Sequence, residues 1–584
     1  MSAEFPSTLS VRLSRRWDVV TVVVVLAAAA IRLPRRWTVL GDNALMLMWT
    51  DAVGTRHTPM VGGDARFGFD HAGPWLFYVL AIPYRILGSS AVGLLVGASV
   101  INLVCLVVII RCVREVAGEL AAASMVAGAL LFLLTAPGDR LIDPWNPFMV
   151  QLPFLLALVA CWALLDRRWH WLPWLVGAGS FAVQGHITFL VPVVVLGALA
   201  LVVLVRSPRT GRRRPAQIAL LVAVLAWLPP AIDMVLPGGH NLFHVARFFV
   251  GSSPDRSNGL TKGVEVVLRE TGAGASWLGG SGVLDSVSKA FTGSVGLLPG
   301  IGVVMLLVAG IAAWRRRDRV VGSLVVILGA LLPAAVVEMA AGRGPLFPYL
   351  FGWVTLVGLL CWLAGLLTVF PRRPPVLLGW LSGASVVALA TVLFAAGLHA
   401  PLPMSPLELS ADGAIVRRLL AGTESHLSRS TSYRLMHGAD RHDSIYELGV
   451  VAALRQDGYR VVSDRSLEVL FGRHMTDAHD QRYEQLRIVA PYDVVVPGSQ
   501  VVASSDPLDA ADRAEEIRLV DTLTSAYLRA SRPDLADLIW GADGADVALA
   551  GFVHPDPSLD PLLKRLAELR SRGRSVAVEL HSAT

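Results

Sequence analysis

Eleven long apolar runs constrain this chain more than any other feature. They lie at about 17–34, 89–112, 119–136, 147–165, 170–185, 187–206, 215–236, 293–313, 319–341, 346–370 and 376–398. A helix needs roughly 17–25 apolar residues to cross a bilayer. Only 16% of the 584 residues are charged, against about 25% in a typical soluble protein. The runs therefore read as membrane spans rather than core helices of a soluble enzyme. No convincing cleavage site follows the first run, which reads as a retained helix.

Arginine orients the spans. Of 51 basic residues only Lys262, Lys289 and Lys564 are lysine, a bias that points to a GC-rich bacterial genome. Basic clusters stand at Arg12/Arg15/Arg16, Arg111/Arg114, Arg167/Arg168, 206–214, 315–319 and Arg372/Arg373. Positive loops stay on the cytoplasmic side, and with eleven spans all six clusters fall on that side. A further apolar segment, 73–88, is too short to cross and would move every later cluster to the other face if it did. It is expected to lie in the interface. Arg32, Arg35 and Arg36 fall on the outer side and are the exception. The chain is thus expected in the bacterial inner membrane, N-terminus cytoplasmic and C-terminus outside. The net charge of +6 resides in these clusters and calls for no nucleic-acid partner. Cys105, Cys112, Cys161 and Cys361 lie in or beside apolar segments, with neither a disulfide framework nor a zinc spacing.

The expected division is a transmembrane domain, 1–399, and a soluble α/β domain outside the membrane, 400–584. In the tail, 446–464 reads as an amphipathic helix, a glycine turn and a strand. Further strands are expected in RIVAPYDVVVP, DVALAGFV and SVAVEL, and helices near 508–530 and 558–572. No phosphate-binding glycine pattern occurs there.

Polar residues gather on the outer side. Asp42 follows the first span; it fits a base for an acceptor hydroxyl or a metal ligand, and equally a helix N-cap. Asp70 and His71 are adjacent and could form an acid–base pair or hold a cation such as Mn, Mg or Zn, or point apart. Asp64 reads as an ordinary loop acid. Asp143, in IDPWNP, suits both a substrate contact and a simple turn, with Pro147 in the first turn of the next helix. His186 sits between two spans, where a packing role competes with a binding one. Asp233 and Glu338 lie near the outer ends of spans, where acids are costly and are functional or paired. Arg343 precedes a span and suits a lipid phosphate, or a pair with Glu338. His240 and His244 stand at helical i, i+4 spacing in a loop.

The order of these features resembles the dolichyl-phosphate-mannose mannosyltransferase-like GT-C glycosyltransferases, a group that includes bacterial aminoarabinose and galacturonosyl transferases. That group carries an Asp-Glu pair after span one, where this chain has Asp42-Asn43. Phe69-Asp70-His71, Pro74 and Ile86-Leu87-Gly88 match its Phe-Asp-His-Pro-Pro segment and the apolar stretch that follows. The turn from Ile142 to Pro147 matches a Pro-Asp-Ala-Pro turn, and the stretch from Asp166 also fits. Asn43 replaces the group's Glu, Ala72-Gly73 interrupt the prolines, and His186 stands where many relatives have Lys. The resemblance spans about 15–240. It implies inverting transfer from a polyprenyl-phosphate-linked sugar to a cell-envelope acceptor, a glycan, lipid or protein, with membrane lipid around it. It makes Asp42 the general base, has Asp70 and His71 orient the acceptor or hold a divalent cation, and has Arg343 or His186 meet the leaving phosphate. Two other classes remain: a catalytically degenerate scaffold whose tail binds an envelope glycan or partner, and a transporter, which would show midplane polar residues and repeats.

Overall fold

The computed structural model describes residues 16–65, 69–135, 140–208, 211–250, 257–278, 298–342, 346, 349–369, 384–392, 395, 411–436, 444–464, 471–476, 483–489, 498–533, 535–536, 539, 547, 556–570, 572 and 575–581. The chain divides into two compact units. One holds Met1–Leu33, Met60–Val79 and Leu95–Leu402; the other holds Pro34–Pro59, Leu80–Leu94 and Pro403–Thr584.

The helices are α1 (Arg16–Arg32), α2 (Gly41–Ala52), α3 (Trp75–Ile86), α4 (Val92–Ala117), α5 (Glu119–Thr135), α6 (Gln151–Leu165), α7 (Leu172–Gly185), α8 (Leu190–Arg206), α9 (Arg213–Asp233), α10 (Asn241–Val250), α11 (Gly259–Glu270), α12 (Ile301–Arg316), α13 (Arg319–Ala341) and α14 (Gly352–Val369). Each of the first ten apolar runs contains one of these helices, and 384–392 is helical within the eleventh. Among the described residues six helical segments are long and apolar enough to cross a membrane: Val92–Ala117, Asn146–Leu165, Ile187–Arg206, Arg213–Asp233, Arg319–Ala341 and Gly352–Val369. This is a multi-pass membrane protein. The segment expected in the interface forms the 12-residue helix α3, about 18 Å long at 1.5 Å per residue and too short to span.

Local chemistry sets the turns between spans. Arg317 takes a left-handed φ of 51° after α12, and Asp318 caps α13, its carboxylate accepting from the Val320 and Val321 amides. The arginine cluster at 315–319 is thus a tight helix-to-helix turn. Equal apolarity does not mean equal place: the apolar window of Asn146–Leu165 is 94% buried, that of Arg213–Asp233 only 17%. The loop 237–292, expected on the outer side, contains two helices absent from the sequence expectation, α10 and α11. Both are amphipathic, and Gly263 brings α11 so close to α13 that a Cβ there would lie 2.4 Å from the Val336 carbonyl.

The second unit carries helices α15 (Ala411–Glu424), α16 (Ser444–Gln456), α17 (Ala510–Arg529) and α18 (Asp560–Arg570). Its five strands are β1 (Ser432–Leu435), β2 (Arg460–Ser463), β3 (Glu484–Val489), β4 (Gln500–Ser505) and β5 (Val576–His581), ordered β2-β1-β3-β5-β4. β1 runs parallel to β2 and β3, while β5 is antiparallel to β3 and β4, so the sheet is mixed. Gly458, at φ 87°, ends α16 and starts the turn into β2, as the sequence pattern implied. RIVAPYDVVVP supplies the end of β3 and SVAVEL supplies β5, whereas DVALAGFV lies almost wholly outside the described residues. β1 and β4 were not anticipated. Val520, Leu523, Tyr527, Ile539, Leu566 and Leu569 form a core around α17 and α18, and within this unit α2 packs against α16.

Candidate active site

In the first unit, residues 62–65 and 69–71 pair antiparallel. Gly62 and Ala65 donate to the His71 and Phe69 carbonyls at 2.9 and 3.1 Å, and the His71 amide donates to Gly63 at 2.8 Å. Asp64 and Asp70 are direct cross-strand partners, which puts both carboxylates on one face. Asn241, at the start of α10, holds this pairing by its backbone. Its side-chain carbonyl accepts from the Asp70 amide at 2.8 Å, and its Nδ2 donates to the Asp70 and His71 carbonyls at 2.8 and 3.3 Å. The Asp233 carboxylate in turn accepts from the Asn241 amide at 2.9 Å.

Asp70 therefore sits among acids. Burial first, then the charges of Asp64 and Asp233, push its pKa up to about 7. His71 is buried, and its Nδ1 accepts from the Ile187 amide at 3.2 Å. Its ring lies 4.7 Å from that of His186, centroid to centroid. Two glycines permit this approach: a Cβ on Gly62 would lie 2.6 Å from the His71 Cβ, and one on Gly73 would lie 2.3 Å from the Gln184 Oε1.

The hydrogen bonds assign the histidine protons. An Nδ1 that accepts is bare, so His71 carries its proton on Nε2. His186 is the reverse. The Thr188 hydroxyl donates to the Leu350 carbonyl, so at its 2.8 Å contact with His186 Nδ1 the imidazole is the donor. Burial, and secondarily His71, hold the His186 pKa well below 6.5, which leaves its Nε2 as a lone pair. One ring presents an N–H and its neighbour presents an acceptor.

The turn 143–146 adjoins this pair. The Asp143 carboxylate accepts from the Trp145 amide at 3.0 Å in an Asx turn, and Asn146 donates to the Gly185 carbonyl at 3.0 Å. Pro147 occupies the first turn of the following helix. The Trp145 ring lies 4.8 Å from that of Tyr349. Behind the turn is a buried charged group that the sequence did not reveal. Arg140 donates to the Gln151 side chain, stacks over Phe132 and Phe148 at 4.9 and 4.5 Å, and feels the charges of Glu270 and Asp143. The Glu270 carboxylate accepts from Thr355 at 2.9 Å.

The structure thus brings together Asp70, His71, His186 and Asp233, with Asp143 one turn away. Asp42 belongs to the second unit, in the first turn of α2; the N-cap there is Leu40, so Asp42 is not the cap. Arg343 lies outside the described residues. His240 is spent in a left-handed turn at φ 77°, its Nδ1 2.9 Å from the Met234 carbonyl. Among the described residues no three His, Cys, Asp or Glu side chains gather as a metal-ligand set. His71 in particular is ill suited to a cation: ligation through Nε2 would move its proton to Nδ1, against the Ile187 amide. Asn241, Thr188, Arg140 and Glu270 carried no sequence signal beyond their polarity.

Among solved structures the chain is similar to ArnT from Cupriavidus metallidurans bound to undecaprenyl phosphate, at TM-score 0.53 and 14% identity, covering 83% of this chain and 96% of that one. The chain has the ArnT fold. The apo form of the same ArnT aligns at TM-score 0.48 and 15% identity over 82% and 94% of the two chains. No family model matches the chain, and no curated protein matches its sequence. The many-helix architecture with a smaller sheet-bearing unit, expected from the resemblance, is therefore present.

Proposed function

We propose that this protein is a glycosyltransferase that moves a sugar from a polyprenyl-phosphate donor to a cell-envelope acceptor, with inversion, at the outer face of the bacterial inner membrane. The observation that carries this reading is the cluster of Asp70, His71, His186 and Asp233 within a GT-C-type fold. The ArnT that shares the fold binds undecaprenyl phosphate. The eleven-span topology, with the tail outside, belongs to the same proposal and rests on the arginine clusters.

In the proposed reaction the acceptor oxygen bonds to the anomeric carbon, the carbon–phosphate oxygen bond breaks, and the phosphate leaves with the electron pair. Asp42 takes the acceptor proton. The histidine tautomers divide the remaining work. His71, through Nε2–H, donates to the developing phosphate anion together with Arg343. His186, through its bare Nε2, accepts from a hydroxyl. Asp70 orients the acceptor, Asp143 shapes the turn beside it, and Asp233 acts through Asn241 as a positioning residue. Neither histidine is assigned to a metal.

Asp42→Asn is expected to lower transfer by about 10²–10⁴-fold, the usual worth of a general base, while the protein stays inserted and folded. Purified enzyme offered lipid-linked sugar and nucleotide sugar in separate assays should use only the first. Efficient transfer from nucleotide sugar alone would sink the donor assignment.

A further inference from the structure

The second unit contains a cavity of 490 Å³ built from α2, the end of α3, α16 and β2. Its size falls in the range of about 300–1,000 Å³ typical of small-molecule sites. Its lining combines three tyrosines, Tyr84, Tyr459 and Tyr483, with Arg455, Arg460 and a single acid, Asp51. We propose that this cavity binds an anionic saccharide.

The charge inventory comes first. The Asp51 carboxylate is already engaged: it accepts from the Tyr84 hydroxyl at 3.0 Å and from Arg85 at 3.2 Å. Arg455 lies 4.0 Å from its other oxygen and donates to the Val461 carbonyl at 3.0 Å. Arg460 is exposed at the start of the edge strand β2 and makes no ion pair among the described residues. Arg455 thus shares its acid with Arg85 and Tyr84, and Arg460 has no acid among the described residues, which leaves positive charge for a ligand. The arginine fork matches the planar oxygens of a carboxylate and the oxygens of a phosphate alike.

The remaining lining fits a sugar rather than a bare ion. Tyrosine offers a flat apolar face and a polar tip, and a pyranose has apolar C–H faces rimmed by hydroxyls. Ser89, Ser432 and Gln456 add side chains able to meet those hydroxyls. Asp42 and Asp51 both lie on α2 but are nine residues apart, about 14 Å along the axis and half a turn around it. The cavity is therefore separate from the position of the proposed base, and what it binds is a part of the ligand that does not react. Such remote contacts supply binding energy that can be spent on orientation. Use of the cavity for the acceptor rests on the transferase reading; binding itself does not.

The test is equilibrium binding to the full chain in detergent, by calorimetry or saturation-transfer NMR, with no turnover required. The probes are a uronate-containing disaccharide, the matching neutral disaccharide, a disaccharide phosphate and inorganic phosphate. At least one of the anionic disaccharides is expected to bind tenfold or more tightly than the neutral one and than inorganic phosphate; which one does so identifies the anion. Arg460→Ala should weaken it at least fivefold with an unchanged melting curve, Tyr459→Ala should do likewise, and Asp42→Asn should bind normally. Equal binding of the neutral sugar removes the anion requirement, and equal binding of inorganic phosphate removes the saccharide. Either result, or no binding by any probe, or full binding in Arg460→Ala, overturns the proposal. Loss of transfer with binding intact would count against the enzyme reading alone.

Discussion

Asp70 and Asp51 both come from the stretch between the first two long spans, and their surroundings are opposite. Asp70 is half-buried with two other carboxylates near it, and its backbone, not its side chain, is what Asn241 grips. Asp51 is partly exposed and faces two arginines and a tyrosine hydroxyl. The first carboxyl is placed where its charge is costly and variable; the second is placed where its charge is answered. A group held near the point of gaining or losing a proton suits chemistry, and a neutralised one suits architecture and ligand selection. The contrast is visible only in three dimensions, since both are lone aspartates beside apolar sequence.

The largest effect that would break this contrast concerns turnover. Asp70→Asn is expected to reduce transfer by about 10²-fold or more if the carboxylate orients the acceptor, the scale on which positioned groups act. Activity within tenfold of the parent would show Asp70 to be a bystander. The second effect is pH-dependent stability. Asp70 titrates near 3.8 when unperturbed and near 7 in the fold. Its stabilising contribution is therefore complete below about pH 4 and is lost as pH rises through 7. At roughly 1.4 kcal/mol per pKa unit the difference has a ceiling of about 4 kcal/mol. Asp70→Asn should thus raise the apparent Tm at pH 8, with a gain that shrinks toward pH 5. Asp51→Asn should lower Tm similarly at both pH values, and a matching pH response in the two variants would erase the distinction.

Asn241→Ala sharpens the same picture at the backbone. It strands the Asp70 amide and carbonyl and should destabilise the fold by about 1–3 kcal/mol, the cost of buried groups left unpaired, measurable by thermal or denaturant melting. The smallest effect concerns metal. Exhaustive chelation should leave activity within about twofold, because His71 presents an N–H rather than a lone pair. Loss restored by Mn, Mg or Zn would mean that the ring flips its tautomer on binding.

The helices were legible because apolarity over a span's length is a property of consecutive residues. The same argument located the tight turn at 315–319 and the short helix α3. It could not tell α6, enclosed by α7, α8, α13 and α14, from α9 on the periphery, because both must be apolar for different reasons: protein neighbours in one case, lipid in the other. The strands β1 and β4 escaped notice because SYRL and QVVASS are short and carry little alternation. At the site, Asp70, His71 and His186 stood out as polar residues in apolar surroundings. Asn241 did not, since its role depends on a segment 171 residues away. Glu270 and Arg140 were hidden for a similar reason: neither has its electrostatic partner nearby in the chain.

The hydrogen bond from Thr188 to the Leu350 carbonyl has one more consequence. It makes the stretch just after Arg343 part of the wiring of His186. While Leu350 holds the Thr188 hydroxyl proton, the imidazole must spend its own proton on that oxygen. If a ligand draws Leu350 away, the hydroxyl can turn and donate instead, and the imidazole proton moves to the opposite nitrogen. The Nε2 lone pair would then become an N–H, converting an acceptor into a donor for an anion. Occupancy of the lipid side would thus be written into the ring as a change of polarity, readable as a swap of the two ¹⁵N shifts of His186 when polyprenyl phosphate is added. Unchanged shifts on saturation would mean that the loop and the ring are not coupled.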